Sequence, residues 1–129
     1  MSQLTQSRTA ARFGLLQIAI TILAAATALI HLSRGLLIGP PHLSLFPLVF
    51  YLNFLGYIVL IVALYLPQLL AYQRVIRWTL LVYAVITILA WIFFTHARPN
   101  LIGYIDKPIE LCLIVLLFVE DRRNSLSRG

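Results

Sequence analysis

This sequence predicts an all-α membrane protein: an antiparallel up-and-down bundle of four transmembrane helices with both termini cytoplasmic. Three observations predict it. Apolar residues make up 61% of the chain and charged residues 11%, about half the roughly 25% charged content of a soluble domain. The apolar residues gather into four runs near the length of about 20 residues that a spanning helix requires. The basic residues also divide unevenly between the two sets of connections, which is the signature of membrane orientation.

The first span is expected at 13–33. Arg8 and Arg12 precede it and Ala26-Thr27-Ala28 resembles a cleavage site, but the run is long for the roughly 7–15 apolar residues of a secretory signal. It therefore reads as a retained span. Its small and polar members, Gln17, Thr21, Ala24, Ala28, His31 and Gly35, recur at helical spacing and mark an inward stripe, with Gln17 and Thr21 assigned to packing and hydrogen bonds between helices. The second span, 45–66, follows an "RGLLIGPPH" turn and carries Asn53, Gly56, Leu60 and Ala63 on one face. The third, 75–96, follows "PQLLAYQR" and presents Tyr83, Thr87 and Ala90, with Thr87 again read as packing. The fourth, 101–120, follows "ARPN" and carries Gly103, Asp106, Glu110, Leu113 and Leu117. Short connections make consecutive helices antiparallel neighbours, and the whole chain is one membrane domain.

Orientation follows from the arginines and the lysine. Arg8, Arg12, Arg74, Arg77, Arg122, Arg123 and Arg128 share one side of a four-span chain, against Arg34, Arg98 and Lys107 on the other. Basic residues collect on the cytoplasmic side, so both ends face inward, in the plasma (inner) membrane of a prokaryote.

The fourth span is the unusual one. Glu110 lies ten residues before Glu120, about 15 Å along a helix and so near the middle of a hydrocarbon layer of roughly 30 Å. An ionisable group there costs about 2.5–3.5 kcal/mol on insertion scales and normally faces the protein interior with a partner. Asp106 and Glu110 share a face, and Lys107 and Glu110 are spaced to pair. Pro108 is tolerated in a helix's first turn, so the expectation is a helix that begins below the membrane surface with Asp106 as its N-cap and irregular backbone leading into it. His31, Arg34, His42, His96 and Arg98 fall at the same outer end, and Asn53 lies about 12 Å in from its own outer end. The expected polar pocket therefore comprises His31, Arg34, Asn53, His96, Asp106, Lys107 and Glu110 in the extracytoplasmic half, while the cytoplasmic half reads as plain packing. An ion-pair network of Asp106, Lys107 and Glu110 with Arg34 or Arg98 that only locks the bundle competes with a functional site.

The chain contains no phosphate-binding glycine loop, HExxH or paired CxxC, and Cys112 has no second thiol to pair with. Catalytic residues and a bound metal are not expected. His31 and His96 sit where two axial ligands of haem b would come from facing helices, and His31, His96 and Glu110 have ligand types suited to zinc; both are alternatives to a protein without cofactors. Tyr51, Tyr57, Tyr65, Tyr72, Trp78, Trp91 and Tyr104 are read mostly as interfacial belts.

"IHLSRG", "NFLGY" and "RPNLIGYIDKPIELCLIVLL" together resemble a loosely defined group of small four-span prokaryotic integral membrane proteins of uncharacterised activity. The matching elements are His31, Leu32, Gly35, Leu55-Gly56, Gly103, Asp106 and Lys107. The resemblance implies the four-span bundle and no activity. The leading expectation is a non-catalytic accessory, structural or assembly subunit, partnered by lipid and by other membrane subunits or its own copies, and not by nucleic acid. The alternatives are an ion-, proton- or small-ligand-handling protein using Glu110, Asp106 and His31, and a redox subunit that binds haem or quinone.

Overall fold

The computed structural model describes residues 14–40, 45–95 and 101–128. Within them lie four long helices: α1 (Leu15–Ile38), α2 (Leu45–Tyr65), α3 (Gln73–Thr95) and α4 (Leu101–Arg128), with a 3-10 segment at Pro67–Tyr72 between α2 and α3. There is no strand among the described residues.

The helix ends follow from local chemistry. At the start of α1, Gln17 Oε1 turns back to accept from the Gly14 N–H at 2.8 Å, satisfying a donor that has no partner within the helix. That local bond corrects the assignment of Gln17 to an inter-helix contact. Thr21 is corrected likewise: it is exposed and bonds its own helix at the Gln17 carbonyl. The helix runs on past Ser33, the expected end, because nothing there breaks it. It stops at Gly39, whose φ of 133° is a conformation other residues rarely adopt. Pro67 ends α2: the residue before a proline is driven to extended backbone, and Leu66 has φ −70° and ψ 124°. Gln73 Nε2 then donates to the freed Leu64 carbonyl at 3.2 Å.

Pro108 lies inside α4, not in its first turn. The helix starts at Leu101, so Asp106 is not an N-cap and residues 101–105 are helical. The proline removes the N–H that would bond the carbonyl of Tyr104. Pro108 is exposed, whereas Asp106, Lys107 and Glu110 around it are buried, so the defect lies on the outer surface and the charged face continues unbroken.

Each helix packs on two others, α1 on α2 and α4, and α3 on α2 and α4. Small residues permit these approaches. A methyl group on Gly56 would run into the Tyr83 hydroxyl, and one on Gly103 would come within 2.6 Å of Trp91 Nε1. The middle of the bundle is apolar, built from Ile20, Ala24, Ile61, Leu64, Leu80, Ala84, Leu113 and Leu117. The outer faces are apolar too: Leu29, Val59, Ile86, Leu111 and Val115 are all more than half exposed, an arrangement that only a nonpolar solvent accommodates. Three helical stretches, Leu15–Ile38, Leu45–Tyr65 and Pro67–Phe94, are long and apolar enough to cross a membrane. These features are those of a small helical membrane protein.

Candidate functional site

Helix α4 turns one continuous face inward: Gly103, Asp106, Lys107, Glu110, Leu113, Leu117, Glu120 and Asp121 are buried. Ionisable residues occupy both ends of that face and leucines its centre. Two buried polar clusters result, separated by the apolar middle.

The first cluster is centred on Glu110, which is fully buried. Lys107 Nζ donates to its Oε2 at 2.6 Å. The other oxygen, Oε1, accepts from the Thr87 hydroxyl at 2.6 Å and the Tyr57 hydroxyl at 2.7 Å, with Thr27 at 3.4 Å and His31 Nε2 at 3.5 Å. One carboxylate thus gathers groups from all four helices. Asp106 is held in parallel: Thr27 donates to Oδ1 at 2.6 Å, and Lys107 donates to Oδ2 at 3.1 Å. A buried charge is tolerated when hydrogen bonds fill its lone pairs in this way. Asn53 is joined through His31, with its amide Nδ2 at 3.1 Å from Nε2 and 3.3 Å from Nδ1. Its Oδ1 is buried and has no hydrogen-bond partner.

Of the expected pocket residues, the fold brings together His31, Asn53, Asp106, Lys107 and Glu110. Arg34 does not join the ion pairs; its guanidinium lies over the Phe50 ring at 5.8 Å. His96, Arg98 and His42 lie outside the described residues. Three members of the cluster were assigned otherwise from sequence. Thr27 carries no signal of its own in the sequence, Thr87 fits helix packing by its spacing, and Tyr57 fits an interfacial belt, yet Tyr57 is fully buried and its ring stacks on His31 at 6.0 Å.

The second cluster corrects the expectation of plain packing at the other end. Arg77 is 2% exposed and Glu120 1%. Arg77 Nε donates to Glu120 Oε1 at 2.9 Å and its Nη1 to Asp121 Oδ1 at 3.1 Å. Tyr65 donates to the other Glu120 oxygen at 2.8 Å, and the more exposed Arg74 lies 3.6 Å from Asp121. Tyr65 is therefore another tyrosine that sequence assigned to the membrane interface and the fold assigns to a carboxylate.

A cavity of about 440 Å³ adjoins the first cluster, within the range of roughly 300–1,000 Å³ typical of small-molecule sites. Phe46, Phe50, Ile86, Trp91 and Phe94 form much of its wall, while His31, Asn53, Thr87, Asp106 and Lys107 supply its polar surface.

Metal and haem can be weighed against this geometry. Ligand atoms of His31, Asp106 and Glu110 lie within 4.8 Å of one another, a donor set of suitable type for a divalent ion. The Lys107 ammonium already stands against both carboxylates, so a metal would have to expel it. Both ring nitrogens of His31 face polar groups, the carboxylates and the Asn53 amide, which is a poor setting for an axial haem ligand needing an open apolar slot. No protein-family model, curated protein or solved structure matches this chain.

Proposed function

We propose that this protein is a four-span membrane protein that binds a small membrane-soluble molecule in the cavity beside Glu110, and that it acts by binding and not by turnover. The observation that carries this reading is the lining of the cavity: most of it is apolar, and His31, Asp106 and Lys107 of the buried cluster complete it. Pockets that recognise small ligands share this combination of apolar walls and a few fixed polar groups. The carboxylate oxygens all have hydrogen-bond donors, which favours a cluster that holds charge in place over one that relays protons. The apolar layer of Leu64, Leu80, Leu113 and Leu117 between the two clusters argues in the same direction, against a through-path for ions.

In this reading the helices alternate in direction and both termini are cytoplasmic. The neighbouring contacts of Leu64 with Gln73, Arg77 with Glu120 and Trp91 with Gly103 support the alternation. The excess of arginines at one set of ends supports the orientation. The fourth span is long enough to cross, its 28 residues reaching about 42 Å at 1.5 Å each, and its charges are turned inward.

The test is organic extraction of the detergent-purified protein followed by mass spectrometry, in wild type and in Ala90→Phe, which places a ring in the cavity. A small molecule recovered near one per chain from wild type and lost from the variant supports the reading. Recovery of bulk phospholipid alone, equal in both, contradicts it.

A further inference from the structure

The cavity's polar end has a specific unmet capacity, and it points to the class of molecule that fits. The two carboxylates offer little to a ligand. Both Asp106 oxygens and both Glu110 oxygens already accept hydrogen bonds, from Thr27, Tyr57, Thr87 and Lys107, and Glu110 does not line the cavity, so a cationic head would meet the Lys107 ammonium at the one carboxylate within reach, Asp106. Lys107 is different. An ammonium has three hydrogens, and the structure assigns two, to Asp106 Oδ2 and Glu110 Oε2. The residue lines the cavity and Nζ lies 5.9 Å from the Trp91 ring, leaving one hydrogen for an acceptor within the cavity.

Asn53, on another helix, offers a second contact. One end of its amide meets His31 and the other is buried without a partner. Whichever way the amide is turned, one end remains to be satisfied, and a buried unpaired polar group costs about 1–3 kcal/mol.

The charge count then restricts the head group. Two carboxylates stand against one ammonium. An anionic head placed at Lys107 would be pressed against Asp106 and Glu110. Arg34 also lines the cavity, yet its guanidinium is laid over Phe50. A neutral acceptor, a carbonyl oxygen, fits where neither a carboxylate nor an ammonium does. The wall supplies the rest. Phe46, Phe50, Trp91 and Phe94 suit a flat ring, and Phe46, Val49 and Phe94 are also exposed on the outer surface, so the cavity borders the face that meets lipid.

We infer that the cavity takes a quinone, a planar neutral ring with carbonyl oxygens on opposite edges, one accepting from Lys107 and the other from the Asn53 amide turned so that Nδ2 faces the ring and Oδ1 accepts from His31, its tail leaving between α2 and α3 into the bilayer. The inference rests on the small-molecule reading of the cavity and makes it specific.

The test titrates decylubiquinone into the full chain in detergent micelles while following tryptophan fluorescence. Trp78→Phe serves as background, so that Trp91 reports. Decanoate and decylamine are run in parallel as anionic and cationic heads on tails of the same length. Saturable quenching by decylubiquinone is expected, with the two charged probes at least about tenfold weaker. Asn53→Leu, which need not disturb the ion pairs, should weaken quinone binding about tenfold, the usual size of one lost hydrogen bond to a buried group. Ala90→Phe should remove the saturable component. Quenching that is unchanged in Ala90→Phe reflects partition into the micelle and overturns the inference, as does decanoate or decylamine binding as tightly as the quinone. If the quinone fails while extraction still yields another molecule that Ala90→Phe excludes, the quinone assignment falls and the binding cavity stands. If extraction and all three probes fail, both fall.

Discussion

The two buried charge clusters of this bundle solve the same problem in different ways. At the Glu120 end, one guanidinium fork spans two carboxylates, and Tyr65 and Arg74 complete the arrangement. Two arginines face two acids, so the group is electrically closed. At the Glu110 end, two acids share a single lysine, and the remaining acceptor capacity is met by hydroxyls from three other helices: Thr27, Tyr57 and Thr87. An arginine can satisfy planar carboxylates almost alone. A lysine cannot, and the cluster that uses one must recruit neutral donors from every neighbour. The first arrangement is a clamp between α3 and α4. The second is a hub for the whole bundle, and its His31, Asp106 and Lys107 line the aromatic-walled cavity.

The contrast fails if removing either group has the same consequence. The largest effect is expected for Glu110→Leu, which takes the carboxylate acceptor from the Tyr57 and Thr87 hydroxyls and leaves Lys107 to Asp106 alone, deep in the bundle. Breaking a buried pair from one side costs about 3–5 kcal/mol, read as the loss in SDS-unfolding free energy, and all helix contacts should weaken together. Arg77→Met should cost less, about 1–3 kcal/mol, because Asp121 retains Arg74 and Glu120 retains the Tyr65 hydroxyl. Arg77→Met should also leave ligand extraction unchanged, whereas Glu110→Leu should abolish it; a loss in both would merge the two clusters into one functional unit.

Smaller effects sharpen the picture. Gly56→Ala drives a methyl into Tyr83, and overpacking of this kind costs about 1–3 kcal/mol; pairing it with Tyr83→Leu should restore most of the loss. Failure of that rescue would remove the α2–α3 contact from the account. Thr27→Val deletes one hydroxyl from Asp106 and should cost about 0.6 kcal/mol, with about 1.7 kcal/mol as the upper limit for such bonds in a membrane. Thr21→Val, one helical turn and a half away, should cost close to nothing because that hydroxyl bonds only its own helix. Equal costs at the two threonines would mean that the rotational phase of α1 is wrong.

Much of the hub was legible in the sequence because ionisable residues within an apolar run are too costly to leave in lipid. That argument located Glu110, its shared face with Asp106 and its pairing with Lys107, and the row of Gly103, Leu113 and Leu117 followed from helical period. The hydroxyl donors were not legible. Threonine and tyrosine are cheap in a membrane helix, so nothing in residue type separates Thr27, which bonds Asp106, from Thr21, which does not. Tyrosines near a span end look interfacial until the rotation of the helix is known, and that rotation is fixed by packing. The clamp was missed for a related reason. Arg77 was counted as an orientation signal and Glu120 with Asp121 as the end of a span; each reading is sound for a residue facing water, and only the tertiary fold turns all three inward. Pro108 was assigned to a first turn on propensity, but its ring faces outward, where a missing hydrogen bond disturbs no neighbour.

The hub turns on Glu110 as a buried, charged partner of Lys107 among four helices. A double-mutant cycle between Glu110→Gln and Lys107→Met, read by unfolding free energy, tests it directly. Lys107→Met leaves two buried carboxylates with no ammonium, and Glu110→Gln leaves Lys107 to Asp106 alone; both remove the same Lys107–Glu110 contact, so the double variant, with one carboxylate unpaired, should cost less than the two single changes added together. The account predicts a coupling above about 1.5 kcal/mol, within the range found for residues in one charged network. Costs that simply add, to within about 0.5 kcal/mol, would show that the two side chains do not depend on each other and would contradict the hub.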